Sequence, residues 1–377
     1  MKLTILTHIW SAAGYIVPFI FVLSLVVFFH ELGHFLVGRW CGVKVDAFSL
    51  GFGPELCAFV DRRGTRWRVG ALPLGGYVKF HGDANGASAG AAAAAAMTPQ
   101  DRAVSFFAQK VWKRAAIVAA GPIANFLLAI VIFTGIFYVH GRGILSPLVD
   151  NVTAGSAAEA AGFQPGDLIL SIDGKPIESF EDMQRIVQAA SDESLTFDVD
   201  RAGKPIELVA TPRRRDISTP FGTTRVGVIG IETRAKPENW RIQRYGLGQS
   251  FLHATSETWY VVARTGSYLG GLATGRESAD QLSGPARIAE VSGAMAKIGI
   301  AALLNLAAVL SISVGLLNLL PIPLLDGGHL FYYAIEAARG EALNEKAQEF
   351  GFKIGLTLIA GLMIFATFND IVHLTRH

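Results

Sequence analysis

Residues 15–37, YIVPFIFVLSLVVFFHELGHFLV, decide the fold of this chain. The stretch exceeds the roughly 20 apolar residues that a helix needs to cross a bilayer. It is too long, and its histidines and glutamate are too polar, for the core of a signal peptide, and no A-x-A cleavage site follows it. The sequence therefore predicts a retained first membrane span close to the N-terminus.

This span carries the pentapeptide His30-Glu31-Leu32-Gly33-His34, which has the pattern H-E-x-x-H. On a helix, His30 and His34 lie one turn apart on one face, where two imidazoles can bind one zinc ion. Glu31 lies beside that face as a candidate general base. A charged side chain near mid-bilayer costs about 2.5–3.5 kcal/mol on insertion scales, so it is seldom there without a function. The alternative is a group of polar residues that line a helix bundle or an ion path.

The composition is typical of an integral membrane protein with a sizeable soluble part. Of the 377 residues, 51% are hydrophobic and 17% are charged, whereas soluble domains carry about 25% charged residues. The net charge of +2 and the lack of a basic stripe with interleaved aromatics give no support to a nucleic-acid partner. The two cysteines, Cys41 and Cys57, provide neither a disulfide framework nor a C-x-x-C metal site.

Four stretches are long and apolar enough to span a bilayer: residues 15–38, 114–139, 301–323 and 352–373. Lys and Arg residues flank the connection between the first two, so the positive-inside rule predicts that this connection is cytoplasmic. The N-terminus, residues 140–300 and the C-terminus would then lie on the opposite side of the membrane.

Residues 45–80 alternate in polarity between glycines, which predicts short strands and hairpins next to the membrane. An irregular strand edge this apolar is tolerated there only if it is buried in protein or lines a cavity. Such an edge could bind an extended peptide as an added strand. An ordinary cytoplasmic cap is the alternative. The candidate peptide-binding residues are Gly51, Gly53, Gly75, Gly76 and Tyr77.

Residues 143–213 predict a soluble α+β module. The pattern indicates a short helix that ends at Gly162, a strand that enters the Asp173-Gly174 turn, a helix capped by Ser179, and two further strands. This order and the phrase A-A-G-F-x-x-G-D-x-I-x-x-I-x-G resemble a PDZ domain. The usual carboxylate-binding G-L-G-F loop is missing, so a peptide clamp and a rigid size filter both stay open.

These elements divide the chain into seven predicted parts. Residues 83–100, within the second part, are Ala- and Gly-rich and are given no chemistry. The parts are the first transmembrane helix (1–44), a β region with the Ala-rich loop and an amphipathic segment (45–113), the second transmembrane helix (114–142), the PDZ-like module (143–213), a connector with an amphipathic helix (214–300), the third transmembrane helix (301–335), and a connector with the fourth (336–377).

Two histidines leave a catalytic zinc site one protein ligand short, because such sites usually have three. Asp326 is the outstanding candidate, since prolines interrupt the third span before it and two glycines after it allow a tight turn. By the predicted topology, this end of the third span and the H-E-x-x-H end of the first face the same side. His329 is a competing ligand, and a helix N-cap is the alternative role for Asp326.

The motifs resemble, in this order, those of the site-2 protease family of intramembrane zinc metalloproteases. They are H-E-L-G-H, then G-P-I-A-N-F (121–126), the PDZ-like insert and N-L-L-P-I-P-L-L-D-G-G-H (318–329). The layout is similar to the bacterial, PDZ-containing branch of the regulator of sigma-E protease type. The resemblance implies a polytopic α-helical membrane protein with four transmembrane helices, a membrane-associated β-hairpin region and a soluble α+β PDZ-like domain. One PDZ-like domain is visible, whereas some relatives carry two.

The resemblance also implies roles for single residues. Zinc, one ion per chain, would be bound by His30, His34 and Asp326, with Glu31 as the catalytic base. Asn125 and Asn318 would help to hold the substrate backbone or the developing oxyanion.

The partners implied by the resemblance are single-span membrane proteins, such as anti-sigma factors that another protease has already cut. Cleavage would take place in the bacterial inner membrane as part of a stress response. Two other classes stay open: a membrane metal-ion transporter, in which the polar residues line a path, and a catalytically silent PDZ membrane scaffold that needs no metal. Zinc transport into liposomes would favour the transporter.

Overall fold

The computed structural model describes residues 2–82, 97–219, 222–234, 239–275 and 284–376. Most of the predicted Ala-rich loop therefore lies outside the described residues. The chain forms two compact units. The first comprises residues 1–134, 251–267 and 283–377, and the second comprises residues 135–250 and 268–282.

The described residues form ten helices and twelve strands. The helices are α1 (Lys2–Trp40), α2 (Pro99–Val104), α3 (Val111–Val139), α4 (Ala157–Ala161), α5 (Phe180–Ala189), α6 (Leu247–Ala273), α7 (Pro285–Ile298), α8 (Ile300–Asn318), α9 (Asp326–Arg339) and α10 (Glu345–Arg376). The strands are β1 (Val45–Val60), β2 (Arg66–Phe80), β3 (Arg142–Leu145), β4 (Asn151–Val152), β5 (Leu168–Ile172), β6 (Lys175–Pro176), β7 (Leu195–Arg201), β8 (Lys204–Ala210), β9 (Arg213–Thr219), β10 (Gly222–Val228), β11 (Ile231–Glu232) and β12 (Trp240–Gln243).

Four of the described helices are long and apolar enough to cross a membrane. A helix suits the bilayer core because it satisfies its own backbone hydrogen bonds. The four predicted spans correspond to these helices, with shifts of a few residues at the ends. The candidate spans are Ala13–Trp40, Val111–Val139, Ile300–Asn318 and Lys346–Ile371.

The part predicted as the third transmembrane helix (301–335) comprises two helices, with an interruption at the prolines between them. Helix α8 ends at Asn318, and a new helix, α9, begins at Asp326. Pro321 and Pro323 in the intervening loop have no backbone N–H to continue the helical hydrogen bonds. Helix α10 rests directly on this loop, since a Cβ on its Gly355 would overlap the Pro323 carbonyl. The loop is therefore packed between helices.

Strands β1 and β2 fold into a sheet of four paired segments. Residues 66–69 pair on one side with residues 57–60 and on the other with residues 47–50, which in turn pair with residues 76–80. The segments 57–60 and 76–80 are therefore the two edges of the sheet. Phe48 is nearly fully buried and stacks on Trp67, with ring centroids 4.4 Å apart, and Phe35 of α1 meets the same pair. Burial of these aromatic side chains anchors the sheet to α1.

The predicted amphipathic segment 104–113 is divided by an extended residue. Helix α2 ends at Val104, Ser105 has extended backbone angles, and α3 begins at Val111. Phe106 is buried and stacks on Phe80, with centroids 5.1 Å apart. The segment packs into the first unit because the aromatic ring gains more from burial than from an interfacial position.

The second unit is built on a four-stranded antiparallel sheet of order β6-β5-β7-β8. The predicted helix starts agree with the structure, because Ser156 and Ser179 cap α4 and α5 with their side chains. Gly162 ends α4 in the left-handed conformation that glycine adopts without strain. Ile172 and Phe197 are fully buried in the core of the second unit.

The predicted boundary of the soluble module at residue 213 is too early. Strand β11 pairs with β4 and strand β12 pairs with β3, so residues 231–232 and 240–243 complete the second unit. Ile229 is buried in the same core. Local patterns do not indicate these pairs, because strand formation depends on tertiary partners. The predicted amphipathic helix of the connector is α6, and the PDZ identity of this unit stays a prediction.

Buried Asp167 pairs with the half-buried Arg201 in the second unit, and we expect Asp167→Asn to destabilise this unit. The Arg201 guanidinium donates to both carboxylate oxygens at 2.7 and 2.8 Å, and the Asp167 side chain has no exposed area. Burial raises the pKa of Asp167, but the hydrogen bonds from Arg201 and from the Gln164 N–H outweigh it and hold the pKa below its ordinary 3.8. Losing this charge-assisted pairing should cost about 1–3 kcal/mol, seen as faster amide exchange in β5 and β7.

The pH dependence of this pair has a definite sign. Because the folded-state pKa is lowered, the carboxylate stabilises the fold above pH 3.8 and loses this effect as pH falls through the lower folded value. The difference in exchange between wild type and Asp167→Asn should therefore shrink in acid. Glu207→Gln, which changes an exposed carboxylate of β8, is the control. Equal exchange in all three proteins at neutral pH would contradict the prediction.

Candidate metal centre

His30 and His34 lie side by side on one face of α1. Their Nε2 atoms are 3.2 Å apart, and their rings meet edge to face with centroids 4.8 Å apart. The spacing of four residues brings both side chains to the same helix face. The structure therefore brings the two predicted histidine ligands together inside the apolar helix Ala13–Trp40.

Asp326 reaches the same point from the start of α9. Its Oδ2 atom lies 3.2 Å from His30 Nε2 and 3.5 Å from His34 Nε2. The N-cap position of α9 belongs to Leu325, so the Asp326 side chain does not serve as the N-cap. Among the described residues, the group that could hold a metal ion consists of these two histidines and Asp326, without His329.

The three ligand atoms fit a zinc ion. Zinc binds nitrogen and oxygen ligands tetrahedrally at about 2.0–2.2 Å, which separates neighbouring ligand atoms by about 3.3–3.6 Å. The observed separations are 3.2, 3.2 and 3.5 Å. Asp326 Oδ2 is buried without a hydrogen-bond partner among the described residues, as expected for an atom reserved for a metal. Three protein ligands leave a fourth position open, which is the pattern of catalytic zinc.

Helix α3 lies directly behind both histidine rings. His34 Nδ1–H donates to the carbonyl oxygen of Ile117 at 2.8 Å, which leaves Nε2 free to bind a metal. On His30, the Nδ1 atom lies 3.2 Å from the side-chain nitrogen of Asn125. Both histidines thus present Nε2 forward and contact α3 through Nδ1.

Gly121 of α3 permits this close approach. A Cβ at this position would overlap Nε2 of His34 and would lie 2.9 Å from Cε1 of His30. Gly33 on α1 also permits the close approach of the two helices, because a Cβ at this position would overlap the carbonyl oxygen of Ala120. Small residues at helix contacts in membranes allow the backbones to come close. Sequence reasoning missed Gly121 as a functional residue, although the motif G-P-I-A-N-F carried the signal.

Glu31 lies where the edge segment 76–80 of the β1–β2 sheet meets α1. A Cβ on Gly76 would lie 3.1 Å from Cγ of Glu31, so the strand backbone rests against the candidate base. Gly75 and Tyr77 flank this contact along the strand. The structure therefore brings three of the predicted peptide-binding residues to the catalytic end of α1.

Gly51 and Gly53 lie at a different place in the sheet. Both have positive φ, +87° and +80°, at the bend where β1 leaves one pairing segment for the next. A Cβ on Gly51 would lie 3.0 Å from the carbonyl oxygen of Gly70. Glycine is favoured there because other residues are strained at positive φ. These two glycines shape the sheet and do not contact Glu31.

An ion pair ties α9 to α3. Arg114 donates to Glu336 at 2.5 Å, both side chains are mostly buried, and the Arg114 guanidinium also lies over the Tyr333 ring, 4.9 Å from its centroid. This contact fixes the helix that begins with Asp326 against the helix that supports both histidines. Asn318, the other predicted substrate-binding residue, is half-buried at the end of α8, where the loop to α9 begins.

Comparisons with known proteins point to one family. The model of peptidase family M50 matches residues 18–362. A protein of Agrobacterium fabrum, named as a candidate zinc metalloprotease, is 51% identical over 370 residues and covers 98% of each chain. A similarly named protein of Rhizobium meliloti is 49% identical over 360 residues, 95% of this chain and 96% of the relative. Metalloprotease MmpA of Caulobacter vibrioides is 42% identical over 383 residues, 94% of this chain and 95% of the relative.

Proposed function

The chain belongs to peptidase family M50 and is a zinc metalloprotease, and from this premise we propose that it hydrolyses peptide bonds inside the transmembrane segments of single-span membrane proteins. One observation carries the proposal. His30, Glu31 and His34 belong to a helix that is long and apolar enough to cross a membrane. Placing polar residues in the apolar part of a membrane costs free energy, so we expect these residues to act on polypeptide that lies in the same part of the membrane.

The mechanism follows from the side chains around the site. His30, His34 and Asp326 would hold the zinc ion. When bound, zinc supplies a Lewis acid that makes water acidic near neutral pH and polarises the scissile carbonyl. Glu31 stands beside the ligand face without belonging to the ligand group, so its carboxylate takes a proton from the attacking water. It then delivers this proton to the nitrogen of the leaving amine.

The substrate must be unwound before it can be cut. A transmembrane helix has its backbone carbonyls hydrogen-bonded and shielded, so its bonds are closed to attack. Among the described residues, the edge segment 76–80 pairs with a strand on one side only, and its Val78 N–H donates to the Glu31 carboxylate. An unwound stretch would add to its open side as a further strand. Gly75, Gly76 and Tyr77 would thus contact substrate, and Asn318 would help from the end of α8.

Single prolines in the edge segment should slow cleavage without loss of zinc. Val78→Pro and Lys79→Pro are both needed, because only alternate residues of a strand direct their N–H outward. Since the Val78 N–H donates to Glu31, KM and kcat are measured separately: lost strand pairing raises KM, whereas a disturbed base lowers kcat. The proline that removes an outward N–H should lower kcat/KM by about tenfold, since one strand-pairing hydrogen bond contributes roughly 1.4 kcal/mol. Cleavage and zinc content are measured together. Ala58→Pro and Phe59→Pro at the opposite edge are the controls, and unchanged rates for both edge variants would remove the substrate strand from the proposal.

The finer assignment concerns substrates and location. We propose single-span proteins, such as anti-sigma-factor-like proteins whose outer domain has already been removed, in the bacterial inner membrane. The Lys and Arg residues around the connection 39–113 support a metal site nearer the cytoplasm, with the second unit outside. The resemblance of the second unit to a PDZ domain supports a role for it in admitting substrates.

Mapped cleavage in a bilayer tests the proposal. The purified full chain is reconstituted in liposomes with a single-span test protein, and mass spectrometry locates the cut bond. Cleavage within the apolar segment supports the proposal, whereas cleavage only in the exposed flanks contradicts it. Zinc accumulation inside the liposomes without any cleavage would favour a metal-ion transporter instead.

A further inference from the structure

Asn125 is buried against the back of a zinc ligand. Its residue surface is fully buried, and its side-chain nitrogen lies 3.2 Å from His30 Nδ1. Ser311 of α8 donates to the Asn125 backbone carbonyl at 2.9 Å, and a Cβ on Gly315 would lie 3.3 Å from Cβ of Asn125. The residue is thus fixed between α3 and α8 with its amide facing the imidazole, and it is closed to a substrate.

The direction of the His30 ring determines where its proton must be. Nε2 of His30 is the atom that converges with Asp326 Oδ2 and His34 Nε2, so Nε2 is the nitrogen that binds zinc. A neutral imidazole carries one proton, and a ring that gives its Nε2 lone pair to a metal carries that proton on Nδ1. Nδ1 of His30 is therefore a donor in the zinc-bound enzyme and requires an acceptor.

The partner histidine shows what such an acceptor looks like. His34 Nδ1–H donates to the carbonyl oxygen of Ile117, a fully buried residue of α3. For His30, the corresponding polar group of α3 is the Asn125 amide. If the amide nitrogen of Asn125 faces the ring, its N–H and the Nδ1–H of His30 are two donors that point at each other. The amide oxygen, Oδ1, has no hydrogen-bond partner among the described residues. A half-turn of the amide exchanges the two atoms with almost no change in shape.

We propose that Asn125 is a positioning residue for zinc, whose Oδ1 accepts a hydrogen bond from His30 Nδ1–H. This bond fixes the tautomer and the ring orientation that present Nε2 to the metal. The proposal gives Asn125 a role different from holding substrate. It rests on the zinc assignment and is independent of the substrate class proposed above.

Two substitutions separate the acceptor role from packing. Asn125→Leu keeps the branching and the number of heavy atoms of the side chain and removes the acceptor, whereas Asn125→Asp keeps the acceptor and removes the donor. Loss of a partner behind a metal-binding histidine typically costs about 10–100-fold in metal affinity. In competition with a chromophoric chelator, full-length Asn125→Leu should show a zinc Kd raised by about 10–100-fold. Asn125→Asp should stay within about threefold of wild type, since carboxylates serve the same role behind zinc-bound histidines.

Ser311→Ala is the matched control, because it removes the hydroxyl that donates to the Asn125 backbone and leaves the amide in place. Cobalt(II) absorption gives a second readout, and the spectrum should change in Asn125→Leu but not in Ser311→Ala. Wild-type zinc affinity in Asn125→Leu would overturn the proposal, and so would an equal loss in Asn125→Asp and Asn125→Leu. If the leucine variant does not fold, Asn125→Ala, which also removes the acceptor and adds no bulk, takes its place in the comparison with Asn125→Asp. Because zinc is measured without substrate, failure here is distinct from failure of intramembrane cleavage.

Discussion

Glu31→Gln is expected to lower the rate constant of peptide cleavage by about 10²–10⁴-fold, the usual contribution of a general acid–base group. Glutamine has the shape of glutamate but cannot take a proton from the attacking water. Glu31 is not among the three residues that converge on the metal position, so the variant should still bind zinc in the wild-type ratio. Cleavage of a single-span test protein and zinc content are measured on the same preparation.

His34→Ala is the contrasting variant for this experiment. It removes a ligand atom, so zinc and cleavage should be lost together. Glu31→Gln, in contrast, should lose cleavage and keep its zinc. If Glu31→Gln cleaves at the wild-type rate, another group is the base; if it loses its zinc, Glu31 has a structural role that the geometry does not show.

Gly121→Ala is expected to weaken zinc binding severely although it adds only one methyl group. The new Cβ would overlap His34 Nε2 and would lie 2.9 Å from Cε1 of His30. His34 cannot turn away without breaking its hydrogen bond to Ile117. Overpacking of this kind costs about 1–3 kcal/mol, which corresponds to about 5- to 150-fold weaker zinc binding if the strain falls on the site. Cleavage should fall by at least the same factor at limiting zinc.

Gly135→Ala is the matched control, since Gly135 belongs to the same helix and a Cβ there meets no atom within 4 Å. Alanine is also a better helix former than glycine, so this variant should keep full zinc affinity. Equal zinc affinity in the two variants would show that the helices can separate at Gly121 at little cost. The close packing of α3 on the histidines would then not be required.

Much of the site could be predicted from sequence because short local patterns identify its residues. The spacing of His30 and His34 specifies one helix face, and the apolar run around them specifies a span. Asp326 could be singled out because prolines before it and glycines after it break the third span. The structure brings these three residues within 3.5 Å of one another.

The features that the sequence did not predict depend on contacts between segments that are far apart in the chain. Nothing local indicates that Gly121 touches His34, or that β11 returns to pair with β4. Gly51 and Gly76 look alike in sequence, since each precedes an aromatic strand residue. Only the pairing of both halves of β1 with β2 shows that one shapes a bend and the other adjoins Glu31. Helix packing and strand register are tertiary properties that override local preference.

The division of the metal ligands between α1 and α9 has a consequence for biosynthesis. When the ribosome has completed α1 and α3, the chain contains His30, His34 and the helix that supports them, but not yet the carboxylate of Asp326. Asp326 is translated only after the whole second unit and α8. A chain that stalls or is truncated before α9 therefore lacks one of its three proposed zinc ligands, and we expect such an incomplete protease to be unable to cleave other membrane proteins.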